Sequence, residues 1–205
     1  MTPGPVEQEV LEIFRKVGAL LEGHFLLTSG LHSPAYVQCA RLLQYPHLAA
    51  RVVVPLVEEF RSRDVEVVVG PALGAIPLVY ELARQLGSRA IWAERVDGRL
   101  ALRRSFAVGR NERVLVAEDV VTTGGSVREV VDLVRSVGAE VVGVAALVDR
   151  TGGRDPGFGV PFAAVLRLDL ETYPPEACPL CLQGLPVEKP GSRLFTKSEQ
   201  SGVEG

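Results

Sequence analysis

The chain of 205 residues has few cysteines, few lysines and no long apolar run. Three cysteines cannot form the disulfide framework of a small secreted domain, and they suit a reducing compartment. No apolar stretch approaches the roughly 20 residues that a membrane-spanning helix needs. Residues 1–9 lack the basic and then apolar pattern of a secretory signal. We therefore expect a cytoplasmic protein with no membrane partner.

An excess of positive charge is also missing, because the formal net charge is -3. A chain of this charge has no bulk electrostatic attraction for nucleic acid, so any anion site must be local. Lys16, Lys189 and Lys197 are the only lysines, and all other cationic side chains besides histidine are arginines. The length and the hydrophobic content of 47% suit one domain with a substantial core.

The most informative segment is residues 114–126. Four apolar residues lead into two acids, an apolar pair and a turn rich in hydroxyls and glycines, before a helical pattern begins at Val127: Glu118, Asp119, Val120, Val121, Thr122, Thr123, Gly124, Gly125 and Ser126. A strand, a loop and a helix start in this order direct backbone N–H groups and a helix dipole at one point, which stabilises a phosphate. The acids would repel a phosphate but suit sugar hydroxyls or a metal ion. The pattern therefore predicts a ribose phosphate site.

Apolar runs alternate with helical patterns along the rest of the chain. We expect strands at 65–69, 90–93, 114–117, 141–148 and 162–168, helices at 6–21, 46–61, 76–86 and from 126, and a hairpin turn at 97–98. Residues 23–38 are a mixed segment with a turn at Ser29–Gly30. This alternation predicts a parallel sheet covered on both faces. Because ligands bind at the carboxyl ends of such strands, the loops at 70–74, 118–126 and 149–150 should converge on one cleft.

The segment 114–126 resembles the phosphoribosyl pyrophosphate (PRPP) signature of the type I phosphoribosyltransferases. The resemblance extends over roughly residues 10–170, and it implies an α/β fold with a central, mostly parallel sheet flanked by helices and a small N-terminal hood. We expect one domain over residues 1–205. The hood would span 1–45 plus part of the C-terminal region, the core about 46–170, and a tail 175–205.

Two further matches indicate which base is transferred. Residues 23–36 resemble the hood of the orotate phosphoribosyltransferases, whose pattern is Gly-x-Phe-x-Leu-x-Ser-Gly-x-x-Ser followed by an aromatic residue. Arg150 stands where that family holds its substrate, and a guanidinium can grip the carboxylate of orotate with two hydrogen bonds. The resemblance implies that Thr122, Arg150 and Phe25 contact orotate.

The same resemblance assigns the PRPP contacts to residues 118–126 and Arg95, with Glu118, Asp119 and Arg95 as catalytic residues. The chain departs from the family pattern at three places. Thr28 replaces a lysine of the hood, and Leu73 and Gly74 stand where a lysine usually follows the loop. The segment 94–104 offers only arginines in place of lysines and a histidine: Arg95, Arg99, Arg103 and Arg104. Arginine is a poor proton donor, so we expect these side chains to stabilise charge on departing pyrophosphate.

The implied reaction converts orotate and PRPP into orotidine monophosphate and pyrophosphate, a step of pyrimidine synthesis. Magnesium is implied as the cofactor, bound mainly through the PRPP phosphates without a dedicated protein cage. A homodimer with sites near its interface is also implied. Two alternatives remain at this stage: a transferase for another base, and a PRPP-sensing regulator without turnover.

Cys178 and Cys181 form a Cys-x-x-Cys pair that resembles half of a zinc knuckle. One pair supplies two of the four ligands that a structural zinc needs. Cys39 and the three histidines are distant in sequence. A structural turn without metal is the preferred interpretation, while a redox pair or a zinc shared between subunits stays open.

Overall fold

The computed structural model describes residues 4–27 and 29–190. They form two compact units. The first contains the described residues of 1–19 together with 38–169, and the second contains those of 20–37 and 170–205. Within the described residues, no helix is long and apolar enough to cross a membrane. The predicted division into hood, core and tail stays a prediction, and residues 191–205 of that tail lie outside the described part of the chain.

Seven α-helices occur in the described residues: α1 (Pro5–Lys16), α2 (Ala40–Leu43), α3 (Pro46–Val52), α4 (Val54–Phe60), α5 (Ile76–Leu86), α6 (Gly125–Ser136) and α7 (Pro179–Leu182). A proline lies in the first turn of five of them, α1, α3, α4, α5 and α7. Proline is favoured there because its missing N–H has no helical partner to lose. The bounds of α5 are those that the sequence predicts.

Eight strands accompany them: β1 (Leu20–Leu26), β2 (His32–Val37), β3 (Val67–Pro71), β4 (Arg89–Val96), β5 (Arg99–Leu102), β6 (Arg113–Val121), β7 (Glu140–Asp149) and β8 (Phe162–Arg167). Six form one sheet in the order β5-β4-β3-β6-β7-β8, in which only the β4–β5 pair is antiparallel. This confirms the predicted mostly parallel sheet. Strands β1 and β2 form a separate antiparallel pair in the second unit.

Helix α6 packs against one face of the sheet in the core of the first unit. Its buried face consists of Val127, Val130, Val131 and Val134, spaced three and four residues apart as an amphipathic helix requires. They pack in one cluster with valines of β3, β6 and β7. Because this face is fixed on the sheet, the amino end of α6 is held beside the carboxyl end of β6.

Four local predictions need correction. Helix α1 ends at Lys16, because Gly18 turns the chain at φ +66° and residues 20–21 start β1 instead. The predicted helix 46–61 is two helices, since Pro55 belongs to the first turn of α4 and cannot continue the α3 ladder. Strand β6 runs on to Val121 and therefore includes both acids. Residues 23–38, predicted as a mixed segment, are largely a β-hairpin.

In the second unit, the C-terminal segment pairs with both strands of this hairpin. The Leu26 N–H donates to the Glu188 carbonyl at 2.8 Å, and the Glu188 N–H donates to the His24 carbonyl at 2.7 Å. On the other strand, His32 and Tyr173 exchange two backbone hydrogen bonds of 2.8 Å. The hairpin and residues 170–188 are therefore one structural unit. Thr28, which departs from the family pattern, lies outside the described residues.

Candidate functional site

A cavity of about 260 Å³ lies at the carboxyl end of β6 in the first unit. It is lined by Glu118, by residues 120–127 and by Glu129, so that the end of β6, the loop and the start of α6 enclose it together. This is the strand, loop and helix arrangement that the sequence predicts for residues 114–126.

The amino end of α6 supplies the donors of this cavity. Gly124 caps the helix in the left-handed region at φ +74°, and no side chain caps the first turn. The first helical hydrogen bond runs from the Arg128 N–H to the Gly124 carbonyl at 2.9 Å. The N–H groups of residues 125–127 therefore have no carbonyl partner one turn earlier, and they carry the positive end of the dipole. An anion in the cavity would satisfy them.

Only glycine fits at position 124. A Cβ there would lie 2.8 Å from Cε1 of Phe158 and 3.2 Å from Cβ of Pro156. The Arg128 guanidinium ties the same loops together, because its Nη1 donates to the carbonyls of Thr123 at 2.8 Å and of Pro156 at 2.7 Å. The loop is thus shaped by packing and hydrogen bonds within the protein, before any ligand binds.

Of the acid pair Glu118 and Asp119, Glu118 lines the cavity. Burial, then the charge of Asp119, then a hydrogen bond with the Asp119 side chain raise the pKa of Glu118 from 4.5 to about 8. The Asp119 N–H donates to Glu118 Oε1 at 3.1 Å and opposes this rise in pKa only in part. With this raised pKa, Glu118 holds a proton at neutral pH and is hydrogen-bonded to the Asp119 side chain. A cation or hydroxyl donors placed between them would favour the doubly ionised pair.

Asp119 is held against a second loop. Its Oδ1 accepts a hydrogen bond from the Val120 N–H at 2.9 Å, and a Cβ at Gly74 would lie 2.9 Å from its Oδ2. The Ala72–Leu73 peptide of this loop is cis, and Leu73 is 81% exposed. The loop that follows β3 thus lies beside the acid pair, as the sequence predicts.

The third loop follows β7. The Arg150 N–H donates to the Val121 carbonyl at 2.8 Å, which places the start of this loop directly beside the end of β6. Asp149 Oδ1 accepts from the Thr151 N–H at 2.8 Å and stabilises the turn. The three loops lie beside one another at this edge of the sheet, while the described residues that line the cavity belong to β6, the loop after it and α6.

Comparison with known proteins agrees with this geometry. Residues 42–157, more than half of the chain, match the family model described as phosphoribosyl transferase domain. The orotate phosphoribosyltransferase of Caldicellulosiruptor saccharolyticus is 52% identical over 187 residues, which are 91% of this chain and 97% of that protein. The chain belongs to the orotate phosphoribosyltransferase family.

Other members of the family show the same coverage. The orotate phosphoribosyltransferase of Thermotoga maritima is 54% identical over 184 residues, 90% of this chain and 98% of that protein. A crystal structure of the Mycobacterium tuberculosis orotate phosphoribosyltransferase, in complex with inorganic phosphate, superimposes with a TM-score of 0.65 at 30% identity. It covers 80% of this chain and 97% of that one. The chain therefore spans nearly the full length of these relatives.

The arginine-bearing hairpin of β4 and β5 is tied to the rim of the cavity. Arg95 on β4 pairs with Glu129 of α6 at 3.2 Å, and the Leu100 N–H of β5 donates to the same carboxylate at 3.3 Å. Arg104 pairs with Glu94 on β4. Two of the four predicted arginines thus have carboxylate partners in this structure, and the assignment of Arg95 to PRPP stays a prediction.

Phe25 is the one predicted site residue outside the first unit. Its side chain is buried in the second unit, with its ring 5.9 Å from that of Tyr36 and against the backbone of Gly23. The structure therefore brings Glu118, Asp119, residues 120–126 and Arg150 to one sheet edge, while the role of Phe25 toward orotate stays a prediction.

Two residues behind and beside the acid pair have no role in the sequence analysis. The buried Cys39 thiol donates to the Asp119 carbonyl at 3.7 Å, and burial, then Asp119, then Glu118 raise its pKa well above its ordinary value. Burial and the neighbouring acids therefore favour the neutral form of the Cys39 thiol. Glu129 lines the cavity from α6, and its position one helical turn after Gly125 and Ser126 is the signal that could have predicted it.

Proposed function

We propose that the protein transfers the 5-phosphoribosyl group of PRPP to orotate, giving orotidine 5′-monophosphate and pyrophosphate in de novo pyrimidine synthesis. The observation that carries the proposal is the cavity at the end of β6, where unpaired helix N–H groups and an acid pair meet. The close relatives that cover the chain almost entirely are named orotate phosphoribosyltransferases.

The 5′-phosphate of PRPP fits the donors of residues 122–126. The first turn of α6 offers N–H groups to an anion, and the glycines allow its close approach. The orotate phosphoribosyltransferase of M. tuberculosis, which shares this fold, was solved with inorganic phosphate. This relative supports a phosphate site in the present chain.

Glu118 and Asp119 would then hold the ribose hydroxyls. Departure of pyrophosphate develops positive charge on the ribose ring, which two carboxylates can stabilise. Because Glu118 holds a proton at neutral pH, binding of PRPP with magnesium should lower the pKa of Glu118 and release that proton. The residues thereby become most anionic when the ring becomes cationic.

The oxygen donors of Glu118 and Asp119 fit magnesium, which binds proteins through one or two carboxylates and otherwise through substrate phosphates. When bound, magnesium would neutralise charge on the diphosphate. Arg95, in the hairpin at the cavity rim, would stabilise the same leaving group, because guanidinium groups bind phosphate with two parallel hydrogen bonds. Arg95 would then leave Glu129, its partner in this structure, and bind the diphosphate instead.

Orotate would be held by Arg150, with Thr122 and Phe25 completing its site. The Arg150 backbone is anchored beside the end of β6, because its N–H donates to the Val121 carbonyl. The proposal includes a homodimer with sites near its interface, as the family resemblance implies. It also includes a cytoplasmic location, where the three free thiols remain reduced.

The test is an absorbance assay of orotate consumption with PRPP and magnesium. The wild-type protein should consume orotate only when both are present, and Arg150→Ala should lower kcat/KM for orotate by about 100-fold, or about 2.7 kcal/mol. Arg61→Ala is the control, since Arg61 is exposed and lies directly after α4, away from the end of β7. It should keep wild-type activity.

A substrate panel separates the alternatives. Consumption of adenine, hypoxanthine or uracil in place of orotate would identify another transferase. Binding of PRPP without turnover of any base by well-folded protein would identify a regulator and overturn the proposal.

A further inference from the structure

Four side chains of the second unit converge on one point. His24 Nε2 lies 2.8 Å from His32 Nδ1, 3.5 Å from Cys178 Sγ and 3.7 Å from Cys181 Sγ. Cys181 Sγ lies 3.3 Å from His32 Nδ1, and all four ligand atoms fall within 4.8 Å of one another. The histidines come from β1 and β2, and the cysteines flank the first turn of α7.

These separations suit a single tetrahedral metal ion. With zinc bonds of about 2.0–2.1 Å to nitrogen and about 2.3 Å to sulfur, tetrahedral angles place nitrogen and sulfur ligands about 3.6 Å apart. The three sulfur–nitrogen distances lie between 3.3 and 3.7 Å. Of these four contacts, the nitrogen–nitrogen distance of 2.8 Å differs most from tetrahedral geometry and must lengthen by about half an ångström.

The backbone around the cluster fixes the protonation of His24. Its Nδ1 lies 2.8 Å from the Leu185 carbonyl, which can only accept, so Nδ1 carries the proton. In the neutral ring, Nε2 then presents its lone pair to the centre of the cluster. Carbonyl partners of this kind orient metal-binding histidines in zinc proteins.

We propose that His24, His32, Cys178 and Cys181 bind one Zn²⁺ per chain as a structural site. Two thiolates and two imidazoles are the ligand set that selects zinc, and four protein ligands leave no open position for chemistry. His24, His32 and Cys178 are buried, with 3%, 7% and 1% exposure, while Cys181 is exposed. The preference for a metal-free turn, drawn from sequence, is thereby replaced, and all ligands come from one chain.

The ion would join two segments that are far apart in sequence. It would clamp the hairpin of β1 and β2, which carries Phe25, to residues 178–185, in addition to the backbone pairing at Glu188 and Tyr173. Ligands of a structural zinc contribute directly to folding free energy, because the unfolded chain has no preformed site. The second unit should therefore depend on zinc for its stability, whether or not orotate is the substrate.

Elemental analysis of the full-length protein provides the first test. The wild type, purified without added chelator, should contain one zinc ion per chain, and Cys181→Ser and His32→Asn should each contain at least ten-fold less. Cys39→Ser and His47→Asn are the matched controls, because they remove a thiol and an imidazole outside the cluster. Both should retain the full zinc content.

Cobalt substitution tests the ligand set without a variant. Wild-type protein stripped of metal and given Co²⁺ should show the intense visible bands of tetrahedral cobalt and a thiolate-to-cobalt charge-transfer band. Less than about one zinc per ten chains in well-folded wild type supplied with Zn²⁺ would overturn the proposal, as would a mass two hydrogens lower, which indicates a Cys178–Cys181 disulfide. These readouts do not involve orotate or PRPP, so their outcome is independent of the proposed activity.

Discussion

The carboxylate of Asp119 occupies the space that a side chain at position 74 would need. An ideal Cβ on Gly74 lies 2.9 Å from Oδ2 and 3.3 Å from both Cγ and Oδ1 of Asp119. The loop after β3 can therefore approach the acid pair only because residue 74 has no side chain. This contact joins the loop after β3 to the acid pair at the end of β6, which the proposed reaction places at the ribose.

Gly74→Ala should displace the Asp119 carboxylate without straining the backbone, since Gly74 is not in the left-handed region. We expect kcat/KM for PRPP to fall about ten-fold, or about 1.4 kcal/mol, with a change of less than about 1 kcal/mol in the free energy of unfolding. Steady-state kinetics and urea unfolding measure the two effects. Gly109→Ala is the control, because its Cβ would meet Glu112 at an ordinary 3.6 Å. Equal activity of the two variants would contradict the assigned role of this contact.

Glu118 should make the stability of the ligand-free protein fall as pH rises. Its pKa of about 8 in the fold exceeds the ordinary 4.5, so between these pH values the folded state holds a proton that the unfolded chain has lost. Glu118→Gln should remove this contribution. The variant's advantage over wild type should grow by up to about 1.4 kcal/mol per pH unit across that window and then level off above pH 8.

Glu81→Gln is a control of opposite sign for this experiment. The hydrogen bond from Arg84 is the main cause that lowers the pKa of Glu81. The ionised Glu81 therefore stabilises the fold above its ordinary pKa, and this stabilisation is lost in acid. Glu81→Gln should therefore be less stable than wild type at neutral pH, with the difference shrinking in acid. A pH-independent difference between Glu118→Gln and wild type would refute the raised pKa of Glu118.

Gly124→Ala should damage both the fold and the phosphate site. The variant forces a side chain into the left-handed region and against the Phe158 ring, 2.8 Å away. Gly157→Ala tests the backbone strain alone, without the steric contact. Gly157 has φ +70° but open space around its Cβ position. Thermal unfolding should show a loss of roughly 1–2 kcal/mol for Gly157→Ala and a larger loss for Gly124→Ala. PRPP binding, measured by calorimetry, should weaken only in Gly124→Ala. An equal loss of stability in the two variants would contradict the steric role of the Phe158 contact.

Arg95→Ala should reduce turnover while leaving stability nearly unchanged. The Arg95–Glu129 pair is about half-exposed on both sides, and exposed pairs contribute about 0–1 kcal/mol to stability. We expect kcat/KM for PRPP to fall at least ten-fold if Arg95 meets the diphosphate. Arg51→Ala is the control. It breaks a similarly exposed ion pair, between α3 and Glu9 of α1, and should not alter the kinetics. Matching kinetics for the two variants would exclude Arg95 from the leaving-group site.

The parts of this protein that the sequence predicts are those governed by neighbouring residues. Helical spacing and a proline in its first turn predict α5 with its observed bounds. The Asp97–Gly98 turn joins β4 and β5, with both residues at positive φ, as its composition indicates. The segment from β6 to α6 likewise combines an apolar run, acids, glycines and a helix within 25 residues, which is enough to predict an anion site there.

The sequence is ambiguous where one signal competes with another nearby. Residues 17–21 continue the helical spacing of α1, yet Gly18 turns the chain and residues 20–21 pair with β2 instead. Tertiary pairing outweighs a weak helical preference in such cases.

Relations between distant residues emerge only from folding. His24 and Cys178 are separated by more than 150 positions, and nothing in the local pattern of either indicates the other. The same holds for Gly74 with Asp119 and for Cys39 beneath the acid pair. Local backbone preferences and hydrophobic spacing act over a few residues, so the sequence alone predicts their effects. The contacts that shape the acid pair and bring the proposed metal ligands together depend on strand order and packing in three dimensions.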